Sequence, residues 1–222
     1  AANAHWFDFV AGPFVDRFRV VSLDLRGHGD SEWDPDADYS YIRYAADVAA
    51  FIEQFSPAPV VLVGHSMGGM VSLVTAGSAP DRVAALVVID SMMQMTPERA
   101  STLRGIGEGK GRSFTSRDAF VEGFKIRPAG TSATPDIVRH MAYHSCRLNE
   151  DGEWRNKFDR NVYARRHPVD GYEYWPRVTG PALVIAGGNS DRITTDVMSR
   201  VRAACPQVGL SVSYTHLTLP TI

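Results

Sequence analysis

The sequence contains little cysteine, and the two cysteines that it has form no recognisable pattern. Cys146 and Cys205 stand alone among 222 residues, and neither lies at a spacing typical of metal ligands. We therefore expect neither a small fold held together by disulfides nor a zinc site built on thiolates. This composition suits a reducing compartment, so the sequence predicts a cytoplasmic protein that needs no metal.

Long apolar runs and an excess of charge of one sign are also missing. No apolar stretch approaches the roughly 18 residues that a membrane-spanning helix needs, and no signal peptide is recognisable. Lysine and arginine number 23 against 25 aspartate and glutamate residues, which gives a formal net charge of -2. This balance argues against nucleic acids and membranes as partners. The chain opens at Ala1 without an initiator methionine, which leaves a removed targeting segment as an alternative.

Continuous apolar strands alternate with helices along most of the chain. Strands of this kind are typical of a parallel sheet that is covered on both faces. The sequence therefore predicts an α/β protein with a mostly parallel sheet and helices on both faces. The predicted strands are Arg19–Asp24, Val60–Val63, Val83–Ile89, Pro181–Ala186 and Gly209–Tyr214, and the predicted helices are Ser40–Phe55, Met67–Ala79 and Thr194–Ala204.

Residues 92–175 interrupt this alternation and predict an inserted helical cap. Short helices are expected at Arg117–Phe124, Pro135–Cys146 and Trp154–Arg165, the second with Thr134 as its N-cap and proline at its first position. The sequence thus predicts a discontinuous core of residues 1–91 and 176–212 around the cap. Residues 213–222 are interpreted as a non-native tail.

The segment VVLVGHSMGG, residues 60–69, carries the motif G-x-S-x-G between a predicted strand and a predicted helix. In that setting the serine occupies a sharp, strained turn that exposes its hydroxyl above the sheet, an arrangement known as a nucleophile elbow. Gly64 and Gly68 are expected to leave room for the close approach of strand and helix. Ser66 is therefore the predicted nucleophile, and the amide of Met67 is a predicted oxyanion donor.

The chain resembles the α/β-hydrolase superfamily, in the branch of serine-dependent ester and C–C hydrolases with a helical cap. The resemblance rests on the elbow, on FRVVSLDLRGHGDS at residues 18–31 and on GNSD at residues 188–191. It implies a catalytic triad with no metal or organic cofactor and a small, largely apolar, ester-like substrate. Ser66 excludes the relatives of this fold that use an aspartate nucleophile.

The triad acid is predicted to be Asp191, which follows the strand PALVIA by a few residues. The resemblance places the acid in this loop, and the chain order of serine, aspartate and histidine agrees with it. Asp90, at the end of the strand VVID, occupies a position that serves as the acid in some relatives and remains a rival. Asp24 also ends a strand, but it precedes the elbow and suits a structural turn better.

The resemblance places the triad base after the final strand, in a Gly-His context. Only His216 follows Asp191, yet no glycine precedes it and it comes directly off the last predicted strand. We therefore expect the true base to be absent. The resemblance also implies an upstream His-Gly loop that would supply the second oxyanion donor, and this loop is expected to be missing. His28 and His65 are interpreted as structural residues, His140, His144 and His167 as cap residues, and His5 is the remaining histidine.

These observations predict a serine hydrolase of carboxylic esters, or of related small acyl substrates, that works through an acyl-enzyme intermediate. The polypeptide as written is expected to be a fragment that lacks both ends of the enzyme and has little activity. A C–C bond hydrolase or an acyltransferase on the same scaffold is the alternative chemistry. A non-catalytic ligand-binding relative is the alternative from another class.

Overall fold

A computed structural model describes residues 2–126, 133–165 and 167–213. The contacts between these residues divide the chain into two compact units. Unit 1 contains residues 2–39, 103–126 and 133–165, and unit 2 contains residues 40–102 and 167–213. Both units therefore combine segments from the predicted core and from the predicted cap. The predicted domain bounds remain a prediction, and most of the predicted tail lies outside the described residues.

Unit 2 is built on a four-stranded parallel sheet in the order β1-β2-β7-β8. Two short antiparallel pairs, β3 with β6 and β4 with β5, complete the described strands. The predicted α/β class with a parallel sheet is confirmed. The strands are β1 Val60–His65, β2 Val83–Ile89, β3 Gln94–Met95, β4 Cys146–Leu148, β5 Trp154–Asn156, β6 Val169–Asp170, β7 Ala182–Gly187 and β8 Val208–Ser213.

The described helices alternate with the strands of the sheet in unit 2 and are shorter on average in unit 1. None of them is long and apolar enough to cross a bilayer. The α-helices are α1 Asp8–Ala11, α2 Tyr41–Phe55, α3 Met67–Ser78, α4 Pro97–Glu108, α5 Arg117–Gly123, α6 Pro135–His144, α7 Asn161–Ala164 and α8 Thr195–Ala204, and the 3₁₀ turns are Ala4–Phe7, Gly12–Phe14, Pro80–Arg82, Gly171–Glu173 and Trp175–Arg177.

The core of unit 2 lies between the middle of the sheet and α3. Leu86 and Val88 of β2 are almost completely buried, as is Val184 of β7. Helix α3 is buried along most of its length, because its apolar side chains are not confined to one face. This packing fixes the position of the β1–α3 junction, where the elbow is expected.

Helix α2 forms where its sequence pattern predicts it. The side chain of Ser40 accepts a hydrogen bond from the backbone N–H of Arg43 at 3.2 Å, which satisfies one of the free donors of the first turn. Its buried face consists of Tyr41, Tyr44, Ala45, Val48 and Ile52. The helical spacing of these residues explains why the prediction succeeds.

Unit 1 is organised around the glycine turn at residues 26–31. Gly27 has a φ of 71°, and a Cβ on it would lie 2.5 Å from the ring of Tyr39. The Tyr39 hydroxyl donates a hydrogen bond of 2.5 Å to Asp159 Oδ2, and both residues are buried. Burial and this carboxylate raise the pKa of Tyr39, so the phenol stays protonated as the donor.

Two predicted elements of unit 1 are wrong. Arg19–Asp24, predicted as a buried strand, pairs with no strand of the described residues, and its Val20 and Val21 are 40% and 53% exposed. Trp154–Arg165, predicted as a helix, instead supplies β5 and then the single turn α7. Both errors have one cause. Whether a segment forms a strand depends on pairing with a distant segment, and the local periodicity of its sequence gives no information about that pairing.

Candidate active site

The predicted nucleophile lies at a sharp bend between strand and helix. Strand β1 ends at His65, helix α3 begins at Met67, and Ser66 between them has φ 51° and ψ -118°. A residue with a side chain rarely adopts this conformation, which costs of the order of 1–3 kcal/mol. The side chain of Ser66 is partly exposed, so the bend offers its hydroxyl to the surroundings.

Backbone hydrogen bonds hold Ser66 in this conformation. Its N–H donates to the carbonyl of Ile89 at 2.9 Å, which ties the bend to the end of β2. Its carbonyl accepts from Gly69 N at 3.0 Å and from the Ser91 hydroxyl at 2.6 Å. Among the described residues, no group forms a hydrogen bond with the Ser66 hydroxyl, which is therefore available for a substrate or a base.

The close approach at the bend depends on Gly64 and Gly69. A Cβ on Gly64 would lie 2.2 Å from the carbonyl oxygen of Gly68, and a Cβ on Gly69 would lie 2.8 Å from Ser91 Cβ. A Cβ on Gly68 would meet nothing within 4 Å. The steric role expected of Gly64 is confirmed, and the one expected of Gly68 is wrong because its Cβ direction points into open space.

The amide of Met67 lies in the first turn of α3, immediately after the nucleophile. The first N–H groups of a helix have no partner inside their own helix, and the helix dipole adds partial positive charge there. An oxygen that becomes negative beside Ser66 would meet this donor. The arrangement suits an oxyanion, and the catalytic role of Met67 stays a prediction.

The two candidate acids differ strongly in burial. Asp191 is 96% exposed at its side chain, and its Oδ1 lies 4.0 Å from Arg192 Nε. Asp90 follows β2, is only 8% exposed and has a φ of 43°. Its Oδ2 lies 3.9 Å from Arg192 Nη1, and its Oδ1 accepts a hydrogen bond of 3.4 Å from Gly187 N. Arg192 therefore contacts both carboxylates.

His65, next to the nucleophile, has the electrostatics of a buried neutral ring. Burial lowers its pKa to about 4, against the opposite influence of the Asp90 charge and with a further lowering by Arg192. Its Nε2 is buried without a hydrogen-bond partner among the described residues. A base with this pKa is too weak to take the proton of a serine at neutral pH. The candidate base, His216, lies outside the described residues.

Sequence reasoning missed two side chains that shape this site. The hydroxyl of Ser91 donates a hydrogen bond to the carbonyl of Ser66, and Arg192 contacts the two carboxylates. In the sequence, Ser91 directly follows Asp90 at the end of a predicted strand, and Arg192 directly follows Asp191 in the predicted acid loop. Neither signal is specific, because only the parallel pairing of β1, β2 and β7 brings these loops to one edge.

Comparison with known proteins agrees with the architecture. The sequence model of the α/β hydrolase fold matches residues 1–218. An sn-1-specific diacylglycerol lipase of Mus musculus is 29% identical over 209 residues, which covers 90% of this chain and 66% of the lipase. An esterase of Mycobacterium tuberculosis is 28% identical over 201 residues, which covers 86% of this chain and 64% of the esterase. The chain thus spans about two thirds of the length of these relatives.

A solved structure gives the same result in three dimensions. The crystal structure of an E-2-(acetamidomethylene)succinate hydrolase superposes with a TM-score of 0.81 and 25% sequence identity. The match covers 95% of this chain and 78% of that chain. A parallel sheet, a bend that carries Ser66 and a family match over nearly the whole sequence agree with one another. The chain belongs to the α/β-hydrolase fold family.

Proposed function

We propose that this chain carries the nucleophile and one oxyanion donor of a serine hydrolase that acts on small carboxylic esters. The observation that supports this most is the positive φ of Ser66 at a strand–helix bend, with a partly exposed and unpartnered hydroxyl. Backbone strain of this kind persists only where the surrounding structure holds it. Four hydrogen bonds formed by the backbone N–H and carbonyl of Ser66 hold the residue in this conformation.

The proposed reaction proceeds in two steps. The Ser66 oxygen attacks the ester carbonyl and gives its proton to a histidine base, while the Met67 amide donates a hydrogen bond to the developing oxyanion. The carbonyl re-forms, and the alcohol leaves with the proton from the base. Water then attacks the acyl-enzyme by the same route and releases the acid and free Ser66.

The acid that orients the base is proposed to be Asp191, in agreement with the order of residues along the chain. Asp90 is the competing candidate, because its burial suits an orienting carboxylate better than the exposure of Asp191 does. The variants Asp191→Asn and Asp90→Asn separate the two candidates. In a chain that retains a working base, loss of the true acid is expected to lower kcat by about 10⁴-fold, as at a serine protease triad, and circular dichroism checks that each variant is folded.

The ester class of substrate is supported by the relatives. The two curated relatives described above are a diacylglycerol lipase and an esterase, so both are named for ester hydrolysis. The structural relative is named for the hydrolysis of an (acetamidomethylene)succinate, which extends the scaffold to a non-ester substrate. A small, largely apolar ester is therefore the proposed substrate, and C–C hydrolysis or acyl transfer is the alternative chemistry.

The experiment that tests the proposal compares Ser66→Ala with Ser199→Ala. Both remove one hydroxyl, and Ser199 is an exposed residue of α8 whose hydroxyl bonds only within its helix. Hydrolysis of p-nitrophenyl esters and labelling by a fluorophosphonate probe are measured for each variant. We expect Ser66→Ala to abolish labelling and to lower any turnover by about 10⁴-fold or more, whereas Ser199→Ala changes neither.

The outcome that would contradict the proposal is ester turnover that survives Ser66→Ala in a folded protein. Turnover that depends on Ser66 and not on His216 would place the base elsewhere in the chain. A thioester donor and a vinylogous diketone in the same panel separate acyl transfer and C–C cleavage from ester hydrolysis.

A further inference from the structure

Unit 1 brings His5 together with His140 and His144, which lie far from it in the sequence. His5 lies in the 3₁₀ turn Ala4–Phe7, and His140 and His144 lie on α6. One ring nitrogen from each of the three lies within 4.8 Å of the other two. All three side chains are neither fully buried nor fully exposed, so solvent and ions can reach them. We call these residues, with Asp8, the histidine cluster.

Helix geometry explains why His140 and His144 are neighbours. His140 and His144 are four residues apart, so both project from one face of α6, and their ring centroids lie 4.6 Å apart. The ring of His5 stacks on that of His144 with centroids 3.7 Å apart. The three imidazoles are therefore grouped at ring-contact distance.

The backbones that carry the histidines are tied together by buried hydrogen bonds. Asn3 donates through Nδ2 to the carbonyl of His144 at 2.9 Å and lies 3.2 Å from the Ser145 hydroxyl. Trp6, which is also buried, donates through Nε1 to the same hydroxyl at 3.3 Å. The residues on either side of His5 are therefore fixed against the end of α6, and the cluster does not depend on a chance meeting of mobile side chains.

Asp8 completes the histidine cluster as an orienting group. Its Oδ2 lies 2.9 Å from His5 Nδ1 and 2.8 Å from His140 Nε2. A carboxylate that accepts the N–H of an imidazole fixes the tautomer and leaves the lone pair on the other ring nitrogen. This is the arrangement that supports metal-bound histidines in many proteins, where the carboxylate itself does not touch the metal.

We propose that His5, His140 and His144 bind a divalent late first-row transition metal, best represented by Zn²⁺, with Asp8 as the orienting carboxylate. Imidazole nitrogens favour zinc, nickel and copper over calcium and magnesium. Tetrahedral Zn–N bonds of 2.0–2.1 Å place ligand nitrogens roughly 3.3 Å apart. One nitrogen of each ring lies within 4.8 Å of the other two, and metal binding would require the stacked rings of His5 and His144 to turn until their lone pairs converge at that separation.

The metal would join the 3₁₀ turn at His5 to helix α6 within unit 1. A ligand that binds only the folded chain raises its thermal stability by mass action. The consequence is a metal-dependent increase in Tm that disappears with the histidines. This site goes beyond the proposed hydrolase activity and does not depend on it.

The test titrates Zn²⁺ into the full-length, metal-free chain by isothermal calorimetry, with Co²⁺ spectra as a second probe. We expect one Zn²⁺ per chain and a Co²⁺ spectrum of nitrogen and oxygen ligands without thiolate charge transfer. His140→Gln and His144→Gln should each weaken binding more than Asp8→Asn, for which a loss of about 10- to 100-fold is expected. His167→Gln is the matched control, because His167 is an exposed histidine outside the cluster.

Three outcomes would overturn the proposal. The first is the absence of saturable Zn²⁺ binding at micromolar concentrations. The second is equal weakening by His167→Gln and His144→Gln, which would indicate non-specific binding to surface histidines. The third is a Zn²⁺-dependent rise in Tm that persists in a folded His140→Gln/His144→Gln double variant.

Discussion

Two segments with almost the same sequence pattern, β1 in unit 2 and residues 19–24 in unit 1, have different structures. Both are short β-branched runs that lead into a glycine-containing turn. Strand β1 pairs with β2 over six residue pairs, whereas residues 19–24 pair with no strand of the described chain. An apolar run therefore has only a tendency to form a strand, and hydrogen bonding to a neighbouring strand makes that conformation stable.

The turns that follow these two segments also differ in what holds them. Ser66 is held by the backbone of the neighbouring strand end and by Ser91. The turn after residues 19–24 is held by Asp24, whose carboxylate accepts from Ala4 N at 2.7 Å and from Asp30 N at 2.9 Å. The structural role expected of Asp24 agrees with these bonds.

The largest effect is expected at the glycines of the elbow. Gly64→Ala should lower the free energy of unfolding by about 3 kcal/mol or more, because its Cβ would overlap the Gly68 carbonyl. Gly68→Ala should change it by less than about 1 kcal/mol, and in the stabilising direction, because the new methyl meets open space inside a helix. Urea denaturation of both variants measures the contrast. Equal destabilisation would show that the described packing at the bend is incorrect.

The next effect is a pH dependence carried by His65. The folded ring has a pKa of about 4 against 6.5 in its unperturbed state, so below pH 6.5 the unfolded chain binds a proton that the folded chain does not. Stability should therefore fall as the pH drops from about 6.5 to 4, by up to about 3 kcal/mol from this residue alone. His65→Gln should remove that part of the acid dependence.

Denaturation midpoints at several pH values between 4 and 7.5 measure this contribution of His65. The comparison of variant with parent cancels the other titrating groups. An acid dependence that is identical in both proteins would mean that the ring of His65 is not enclosed in the folded state.

A third prediction compares the confirmed strand β2 with the segment that is not a strand. Val88→Ala should cost about 2 kcal/mol, because Val88 is fully buried in the middle of the sheet. Val21→Ala should change stability by no more than about 0.5 kcal/mol, because its side chain is 53% exposed. Chemical denaturation measures the free energy of unfolding of both variants and of the parent chain. A large cost at Val21 would indicate that residues 19–24 bury their side chains in solution.

The smallest effect is expected at Ser91. Ser91→Ala removes the hydroxyl that bonds the Ser66 carbonyl, and we expect a loss of about 1 kcal/mol in stability. The rate of fluorophosphonate labelling of Ser66 should fall by a few fold, since the elbow is then held less firmly. Ser199→Ala serves again as the control. A labelling rate that does not change would leave Ser91 with a purely structural role.

Much of unit 2 was predictable from sequence because its signals are local. The alternation of apolar strands and capped helices predicted β1, β2, β7 and α2 within a few residues. The motif at residues 64–68 predicted the bend at Ser66 because the strand before it and the helix after it could both be recognised from the sequence. Unit 1 was less predictable, since β5 depends on pairing with β4 and not on its own periodicity.

The candidate site was predictable only in part, for a related reason. Ser66 and Met67 are neighbours in the sequence, so one motif names both. Asp90, Asp191 and Arg192 become neighbours only when the parallel strands bring their loops to one edge. Sequence order favoured Asp191, and burial favours Asp90; the assignment of the acid stays a prediction that the two asparagine variants will decide.

The class of fold, the bend that presents Ser66 and the cap of α2 follow from local sequence patterns, because each depends on residues close together in the chain. Long-range packing instead selects which apolar run becomes a strand, which glycines of the elbow leave no room for a Cβ and which histidines meet beside Asp8. Contacts between residues far apart in the chain depend on the three-dimensional path of the backbone, and no local pattern of side chains encodes that path.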